Sequence, residues 1–437
     1  MSEVTTKLNG ERVDAAAEGS VDQPVAAGPS TAGPTLAEFE AARLVVANVA
    51  RVTPMETSGF LSEQLGSQVY LKCENLQRTG SYKLRGAYNR LTQLSVDERA
   101  RGVVAASAGN HAQGVAFAAR ELGITATIFM PVGVALPKLQ ATRNYGADVV
   151  LRGHGVADAL RAAADFAAST GAVFIPPYDH ENVVAGQGTL GLEIFEQVPG
   201  LDTVIVPIGG GGLISGVASA LKQKFATLGR TVRIIGVQAE NASAYPISLA
   251  NGVATEVSIS PTIADGIAVN KPGLLNFDII KDAVDEVVTV TDDDIARAML
   301  ILLERAKLVV EPAGAVAVAA IITGKVKNSG NTVAILSGGN IDPLVMERVI
   351  SRGLAASDRY LKIRLLLPDR PGQLARVAEL ISEANANVVE VLHTRHGRNA
   401  LISDVEIELS IETRGPEHVQ RVLGHLREAG YEPRVDF

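Results

Sequence analysis

Short apolar segments that alternate with helical segments constrain the fold of this chain more than any other feature. Apolar runs such as QVYLKCE, GVVAAS, TATIFMP and TVIVPI are each followed by a segment of helical periodicity. Continuous apolar strands separated by helices predict parallel sheets that are covered by helices on both faces. Ligands of such sheets bind in the loops between the carboxyl end of a strand and the next helix. The functional residues are therefore expected in these loops.

The domain organisation is predicted from changes in composition along the 437 residues, a length typical of two or three domains. Residues 1–35 are rich in Ala, Gly, Ser, Thr and Pro without periodicity, so they are predicted to be a disordered extension. Residues 36–355 carry the alternating pattern and form the predicted α/β domain. Residues 356–437 read as strand, helix, strand, strand, helix, strand, which is the order of a ferredoxin-like domain.

Composition argues against several classes of function. The net charge is −8 and no Lys/Arg run stands out, so no nucleic-acid partner is expected. No apolar run is long enough to span a bilayer and no signal peptide is recognisable, so we expect no membrane partner and a cytoplasmic location. The single cysteine, Cys73, rules out an intrachain disulfide and is predicted to be buried. No Cys/His cluster indicates a metal site, and no G-x-S-x-G elbow indicates a serine hydrolase.

Lys83 occupies an unusual place, in the first turn of the helix predicted for SYKLRGAYNRLTQL. Helix N-termini favour anions, because their free N–H groups and the helix dipole are positive there. A cation at this position is mildly unfavourable unless it has a function. Lys83 is therefore a candidate for a chemical role.

A run of four glycines, Gly209–Gly212, follows the strand TVIVPI and precedes a helical segment that begins near Leu213. Consecutive glycines let backbone N–H groups converge on one point, and the helix N-terminus adds further free N–H groups. This arrangement predicts a phosphate site, and the alternative is a flexible turn that packs closely against the sheet. The spacing matches neither a dinucleotide-binding fingerprint nor a P-loop.

Further polar residues stand in strand-end loops or just before a helix. SAGNH places Ser107 and Asn110 near a helix N-cap, where they either cap the helix or bind a ligand carboxylate. His111 is expected to pack at the helix start rather than to act as a base. SGGN places Ser337 either in a simple tight turn or where its hydroxyl meets a ring nitrogen. In VEPAGA, Glu311 precedes a helix, and either capping or a role in the site explains it.

Taken together, GSYKLRGA, SAGNHAQG, GGGGL and SGGN resemble the motifs of the fold-type II family of pyridoxal phosphate enzymes, and within it the threonine dehydratases (threonine ammonia-lyases). The resemblance runs from about Leu36 to Leu354. It implies two open twisted α/β subdomains and pyridoxal 5'-phosphate as the cofactor. The segment DRPGQLARV resembles the ACT family of small amino-acid sensors, which implies regulation by an amino acid.

The resemblance implies roles for residues of all four motifs. Lys83 would bind the cofactor as a Schiff base and act as the catalytic base, and positive surroundings would lower its pKa. Asn110 would bond the ring hydroxyl of the cofactor, and Ser337 would meet its ring nitrogen. The remaining cofactor contacts would come from Tyr82, Gly209, Gly210, Gly211, Gly212 and Leu213. The loop that binds the substrate carboxylate would comprise Ser107, Ala108, Gly109, Asn110 and His111.

The implied reaction is the α,β-elimination of L-threonine to 2-oxobutanoate and ammonia, with L-serine as a further substrate. The alternatives are a serine-preferring dehydratase, a serine racemase, a β-replacement enzyme such as a cysteine synthase, and a non-catalytic amino-acid sensor. Racemases of this family carry a second serine where Ala108 stands and a metal-binding acid where Gln238 aligns, which argues against racemisation. The intact Lys83 and glycine run argue against a sensor without activity.

In ACT domains, ligands bind between two paired domains, near the first strand–helix loop. Here this implies Gly372 in DRPGQL, with Asn387 at the start of the next strand, as the effector site. The effector is expected to be an amino acid such as isoleucine or valine, bound within a homotetramer or homodimer. A single ACT unit leaves open whether the enzyme serves isoleucine biosynthesis or threonine degradation.

Overall fold

The computed structural model describes residues 33–327, 329–395 and 403–436. The disordered extension predicted for residues 1–35 lies outside the described residues, apart from residues 33–35. The strands are β1 Met55–Thr57, β2 Val69–Cys73, β3 Val103–Ala106, β4 Ala126–Met130, β5 Asp148–Leu151, β6 Val173–Phe174, β7 Thr203–Pro207, β8 Arg233–Ala239, β9 Glu286–Val290, β10 Thr332–Leu336, β11 Tyr360–Pro368, β12 Asn387–Thr394, β13 Asp404–Glu412 and β14 Arg434–Asp436.

The helices connect these strands in the alternating order that the sequence predicts. They are α1 Leu36–Val46, α2 Gly59–Leu65, α3 Lys83–Thr92, α4 Val96–Arg101, α5 Asn110–Leu122, α6 Leu136–Asn144, α7 Val156–Thr170, α8 Glu181–Gln197, α9 Gly212–Ala226, α10 Ala244–Asn251, α11 Leu274–Ala283, α12 Asp292–Ile301, α13 Pro312–Ile322, α14 Pro343–Ala355, α15 Gln373–Glu383 and α16 Pro416–Glu428. None of the helices in the described part of the chain is long and apolar enough to cross a membrane.

Local sequence explains where the first helix begins. In α1, the Thr35 hydroxyl accepts from the Glu38 backbone N–H, and the Glu38 carboxylate accepts from the Thr35 backbone N–H at 2.7 Å. This capping box pairs free backbone donors of the first turn. The helix then buries Phe39 and Ala42 on one face.

Two sheets form the α/β region, in agreement with the prediction of two subdomains. The larger sheet has the strand order β1-β2-β10-β7-β8-β9, and the smaller sheet has the order β5-β4-β3-β6. Every strand pair in the two sheets is parallel except β1–β2, which is antiparallel. The sequence did not indicate this antiparallel edge, because β1 has only three residues and no recognisable alternation.

The C-terminal region forms a separate antiparallel sheet with the order β12-β13-β11-β14, over which α15 and α16 supply buried apolar residues. Along β11 the side chains alternate between buried and less buried positions. This alternation is typical of a sheet with one covered face, and it confirms the ferredoxin-like prediction.

Four charged side chains are buried beside the start of α3 and are called the buried ion cluster: Lys72, Glu74, Arg85 and Glu193. Arg85 donates to both carboxylate oxygens of Glu74, at 2.8 and 2.9 Å, and to both of Glu193, at 2.6 and 3.0 Å. Lys72 Nζ donates to Glu193 at 2.8 Å. The two cations and two anions balance, which a buried site of low dielectric requires. The cluster joins α3, which carries Lys83, to β2 and α8.

Candidate active site

Lys83 is the first residue of α3 and follows directly on the turn after β2. It is partly buried, and its Nζ donates to the Pro177 backbone carbonyl at 2.9 Å. The ammonium also lies 5.4 Å from the centroid of the Tyr82 ring, within cation–π range. Burial lowers the pKa of Lys83 to about 8, although the Glu311 carboxyl opposes the shift. The expectation that positive neighbours lower this pKa is therefore wrong, because desolvation causes the shift.

Backbone hydrogen bonds hold the Lys83 segment against the loop that follows β10. The Tyr82 N–H donates to the Ser337 carbonyl at 3.2 Å, and the Gly339 N–H donates to the Gly80 carbonyl at 2.9 Å. Ser337 is itself buried. The structure thus brings Lys83 and Ser337 together although 254 positions separate them (337 − 83).

The glycine run Gly209–Gly212 connects β7 to α9. Among the described residues, we find no acceptor for the N–H groups of Gly209, Gly210 and Gly211. Gly211 has a φ of +104°, which favours glycine. Unpaired N–H groups beside a helix N-terminus form an anion site, so the run fits the phosphate of the implied cofactor.

The glycine run also packs tightly against neighbouring side chains, so the close-packing interpretation applies as well as the phosphate-site interpretation. A Cβ on Gly210 would overlap the Tyr178 ring, and a Cβ on Gly211 would overlap the Tyr245 hydroxyl. The Tyr245 hydroxyl donates to the Gly210 carbonyl at 3.1 Å. These contacts hold the loop in one shape and leave no room for side chains.

The loop 107–111 precedes α5, whose N-cap is Gly109. The Gly109 N–H donates to the Ser107 hydroxyl at 3.2 Å, and no side chain caps the helix. Capping therefore does not explain Ser107 and Asn110. His111 is buried, with Nε2 2.9 Å from the Ile175 carbonyl oxygen. Burial lowers the pKa of His111 to about 3, so the ring is neutral at ordinary pH and packs at the start of α5.

Glu311 precedes α13 but makes no side-chain capping bond, so the capping interpretation of this residue is wrong. Its Oε1 instead accepts from Asn110 Nδ2 at 2.6 Å. Burial raises the pKa of Glu311 to about 7, although the Asn110 hydrogen bond acts in the opposite direction. Glu311 thus lies in the site, next to a residue 201 positions away in the sequence.

Several site residues were not identified from the sequence. Pro177 and Tyr178 follow β6, a strand of two residues that is too short to be recognised by periodicity. Asn340 stands in the quoted SGGN motif without an assigned role, yet its Nδ2 donates to Asn110 Oδ1 at 2.8 Å. In the sequence, the polar side chain of Asn340 within this motif was the available indication that it belongs to the site.

The effector residues predicted in the C-terminal region lie at helix and strand starts. Gly372 is the N-cap of α15, with a φ of +91°. Asn387 begins β12, and its Nδ2 donates to the Glu412 carboxylate at 3.2 Å. Among the described residues, no group of three or more His, Cys, Asp or Glu side chains is arranged to hold a metal.

Comparisons with known proteins divide the chain in the same way. The family model described as pyridoxal-phosphate dependent enzyme matches residues 46–338, and the ACT domain model matches residues 362–430. An L-threonine ammonia-lyase of Thermotoga maritima is 48% identical over 402 residues, which cover 92% of this chain and 99% of that protein.

The chain is also similar to solved structures. Threonine deaminase isoform 2 of Solanum lycopersicum has a TM-score of 0.68 and 39% identity, and the match covers 72% of this chain and 88% of that one. Maize serine racemase has a TM-score of 0.69 and 33% identity, and the match covers 74% of this chain and 99% of that one.

Proposed function

The chain belongs to the family of pyridoxal-phosphate-dependent enzymes, and on this premise we propose that its active site converts L-threonine to 2-oxobutanoate and ammonia. One observation carries the proposal. Lys83, an amine of lowered pKa, lies at the start of α3 against the Ser337 loop. Loss of the α-proton and the β-hydroxyl of L-threonine, followed by hydrolysis, gives these two products.

The residues around Lys83 fit pyridoxal phosphate. We propose that Lys83 binds it covalently and that the N–H groups of the glycine run and Leu213 hold its phosphate. Asn110 would donate to its ring hydroxyl, Ser337 would face its ring nitrogen, and Tyr82 would flank it. When bound, the cofactor supplies an electron-withdrawing ring that makes the α-proton of an amino acid acidic. Ser337 offers this ring a neutral hydroxyl instead of a carboxylate.

Lys83 is also the group that moves the α-proton. Burial lowers the pKa of the free Lys83 amine to about 8, which favours the neutral form that accepts a proton. The loop 107–111 holds the substrate carboxylate, because the free N–H groups at the start of α5 attract anions. Its neutral His111 adds no charge to this site.

L-Serine is proposed as a further substrate, since it differs from L-threonine only by a methyl group. The racemase alternative is disfavoured because Ala108 has no hydroxyl to protonate the opposite face of the substrate. A sensor without activity is disfavoured because Lys83 and the glycine run are intact. Lys83 Nζ also bonds the Pro177 carbonyl, next to Tyr178, whose ring packs on Gly210.

The test is a visible spectrum of the purified protein, followed by a 2-oxobutanoate assay with L-threonine. We expect a cofactor band and oxoacid formation in the wild type, and neither in Lys83→Ala. The matched control is Lys224→Ala, a partly exposed residue of α9 that pairs with Glu40, which should retain both. A band without oxoacid from L-threonine would overturn the proposed substrate, and the same assay with L-serine would then identify a serine-preferring enzyme.

We further propose that an amino acid regulates this activity through Gly372 and Asn387 in the ACT domain. The place of Gly372 at the N-cap of α15 supports this, because a glycine there permits close approach of a ligand to the helix start. An effector changes activity only if it binds two states of the enzyme unequally. Titrations with isoleucine, valine, leucine and serine should change the rate or the cooperativity toward L-threonine. No effect from any of the four would contradict the proposal.

Pairing of ACT domains further suggests a homotetramer or homodimer, which sedimentation would measure. We also propose domain boundaries at 36–355 and 356–437 and a cytoplasmic location. The boundary after residue 355 is supported by the end of α14 at Ala355 and by the family matches, which lie inside the two ranges.

A further inference from the structure

The side-chain amide of Asn110 is oriented by an unambiguous acceptor. Asn340 Nδ2 donates to the Thr79 backbone carbonyl at 2.7 Å. A carbonyl oxygen only accepts, so this end of the Asn340 amide is its amino group. The same amino group donates to Asn110 Oδ1 at 2.8 Å. The other end of the Asn110 amide, Nδ2, therefore faces Glu311 Oε1, to which it donates at 2.6 Å. We call Thr79, Asn340, Asn110 and Glu311 the Asn110 relay.

Two glycines leave the space that the relay occupies. A Cβ on Gly80 would overlap the Asn340 amide, and Gly80 has a φ of +72°. A Cβ on Gly338 would overlap the Glu311 carboxylate and lie 3.1 Å from Asn110 Nδ2. Both glycines are therefore required by the same chain of hydrogen bonds.

The relay connects the two sheets of the α/β region. Asn110 begins α5, which follows β3 of the smaller sheet, whereas Asn340 follows β10 of the larger sheet. Glu311 is anchored on the larger-sheet side, because its backbone N–H donates to the Gly338 carbonyl at 3.0 Å. The orientation of Asn110 is thus set by residues of the opposite subdomain.

We propose that Asn340 and Glu311 are positioning residues that hold the Asn110 amide so that it presents an N–H donor, and not its oxygen, to the cofactor. The proposal rests on the proposed function, in which Asn110 contacts the ring hydroxyl. A flipped Asn110 would place its oxygen against Glu311 and its amino group against the Asn340 amino group. The contact between the two amino groups would be repulsive whatever the charge of Glu311, and the contact with an ionised Glu311 would be repulsive as well, so the relay disfavours the flipped state.

The test is Asn340→Asp, which keeps the shape of the side chain but removes the donor. A carboxylate would then face the Thr79 carbonyl and Asn110 Oδ1, both of which only accept. We expect the visible band of the holoenzyme to shift and kcat for L-threonine to fall at least tenfold, with a smaller change in KM. The control is Asn331→Asp, at the opposite end of β10, where Nδ2 donates to the Gly200 carbonyl at 2.9 Å. It should change neither quantity.

A double-mutant cycle tests whether Asn340 acts through Asn110. In an Asn110→Ala background, Asn340→Asp should cause no further shift of the band. An unshifted band in the single variant, or an equal shift in both backgrounds, would overturn the proposal.

The second pair of variants is Glu311→Ala and Glu311→Gln, which serves if Asn340→Asp does not fold. Only Glu311→Gln keeps an acceptor for Asn110. We therefore expect Glu311→Ala to shift the visible band and Glu311→Gln to leave it at the wild-type position. Equal spectra for Glu311→Ala and the wild type would overturn the proposal. Because the spectrum needs no substrate, a holoenzyme that forms no 2-oxobutanoate would overturn the proposed function while the spectra still decide the relay.

Discussion

Substitution of Glu193 by Gln should destabilise the α/β region strongly, because it removes one of two negative charges from the buried ion cluster. Glu193 accepts from Arg85 Nη1 at 2.6 Å and from Lys72 Nζ at 2.8 Å. After the substitution, two buried cations share the single carboxylate of Glu74. Gln keeps the size of the side chain, so the change in stability reports the charge and its hydrogen bonds instead of a cavity.

The magnitude is estimated from the cost of breaking a buried ion pair, about 3–5 kcal/mol. Burial alone would raise the pKa of Glu74, but Arg85 and Lys72 hold it below its usual value, so Glu74 stays charged. Burial lowers the pKa of Lys72, and the Glu193 carboxylate opposes this shift. Without that carboxylate, Lys72 can lose its proton, which keeps the loss of stability near the lower limit. At an unfolding entropy of about 2.1 cal/mol/K per residue over roughly 300 residues, the full range corresponds to a fall in Tm of about 5–8 °C, and a cost near its lower limit to about 5 °C.

The assay is thermal unfolding of the holoenzyme, followed by far-UV circular dichroism. The matched control is Glu196→Gln, on the same helix, which breaks an exposed ion pair with Arg43 whose side chains are 54% and 37% exposed. Exposed pairs contribute about 0–1 kcal/mol, so this control should lower Tm by less than about 2 °C. Equal decreases for the two variants would refute the reasoning, because burial would then make no difference.

Three further predictions concern single positions. Gly210→Ala should weaken cofactor binding in a pyridoxal phosphate titration, because its Cβ overlaps the Tyr178 ring, whereas Gly133→Ala, where a Cβ meets nothing within 4 Å, should bind normally. Gly186→Ala should cost about 1–3 kcal/mol by overpacking, since its Cβ would lie 2.6 Å from the Arg85 carbonyl oxygen; an unchanged Tm would contradict this. Burial lowers the pKa of His111 to about 3, whereas the unfolded chain has a histidine pKa of about 6.5. Below about pH 6.5 the unfolded state therefore binds more protons than the folded state, and the free energy of unfolding is lower by about 2 kcal/mol at pH 5. His111→Gln should flatten the decrease of Tm between pH 7 and pH 5, and an unchanged slope would show that this ring does not cause it.

Much of the fold could be predicted because it depends on neighbours along the chain. The strands predicted for QVYLKCE, GVVAAS, TATIFMP and TVIVPI are confirmed as β2, β3, β4 and β7, since each is a continuous apolar run. The loops after these strands were recognisable from their glycines and polar residues. Elements without a strong local pattern were missed, such as the three-residue β1 and the two-residue β6.

The alternating fold, the place of Lys83 at a helix start and the resemblance that implies its cofactor are readable from the amino-acid sequence, because periodicity and motifs are local properties. Which groups meet in the site depends on the folded arrangement. It placed Glu311 on Asn110 across 201 positions, and Asn340 on Asn110 across 230. It also showed that burial, and not positive neighbours, lowers the pKa of Lys83. Contact and desolvation depend on how the two sheets pack, and no local pattern encodes that packing.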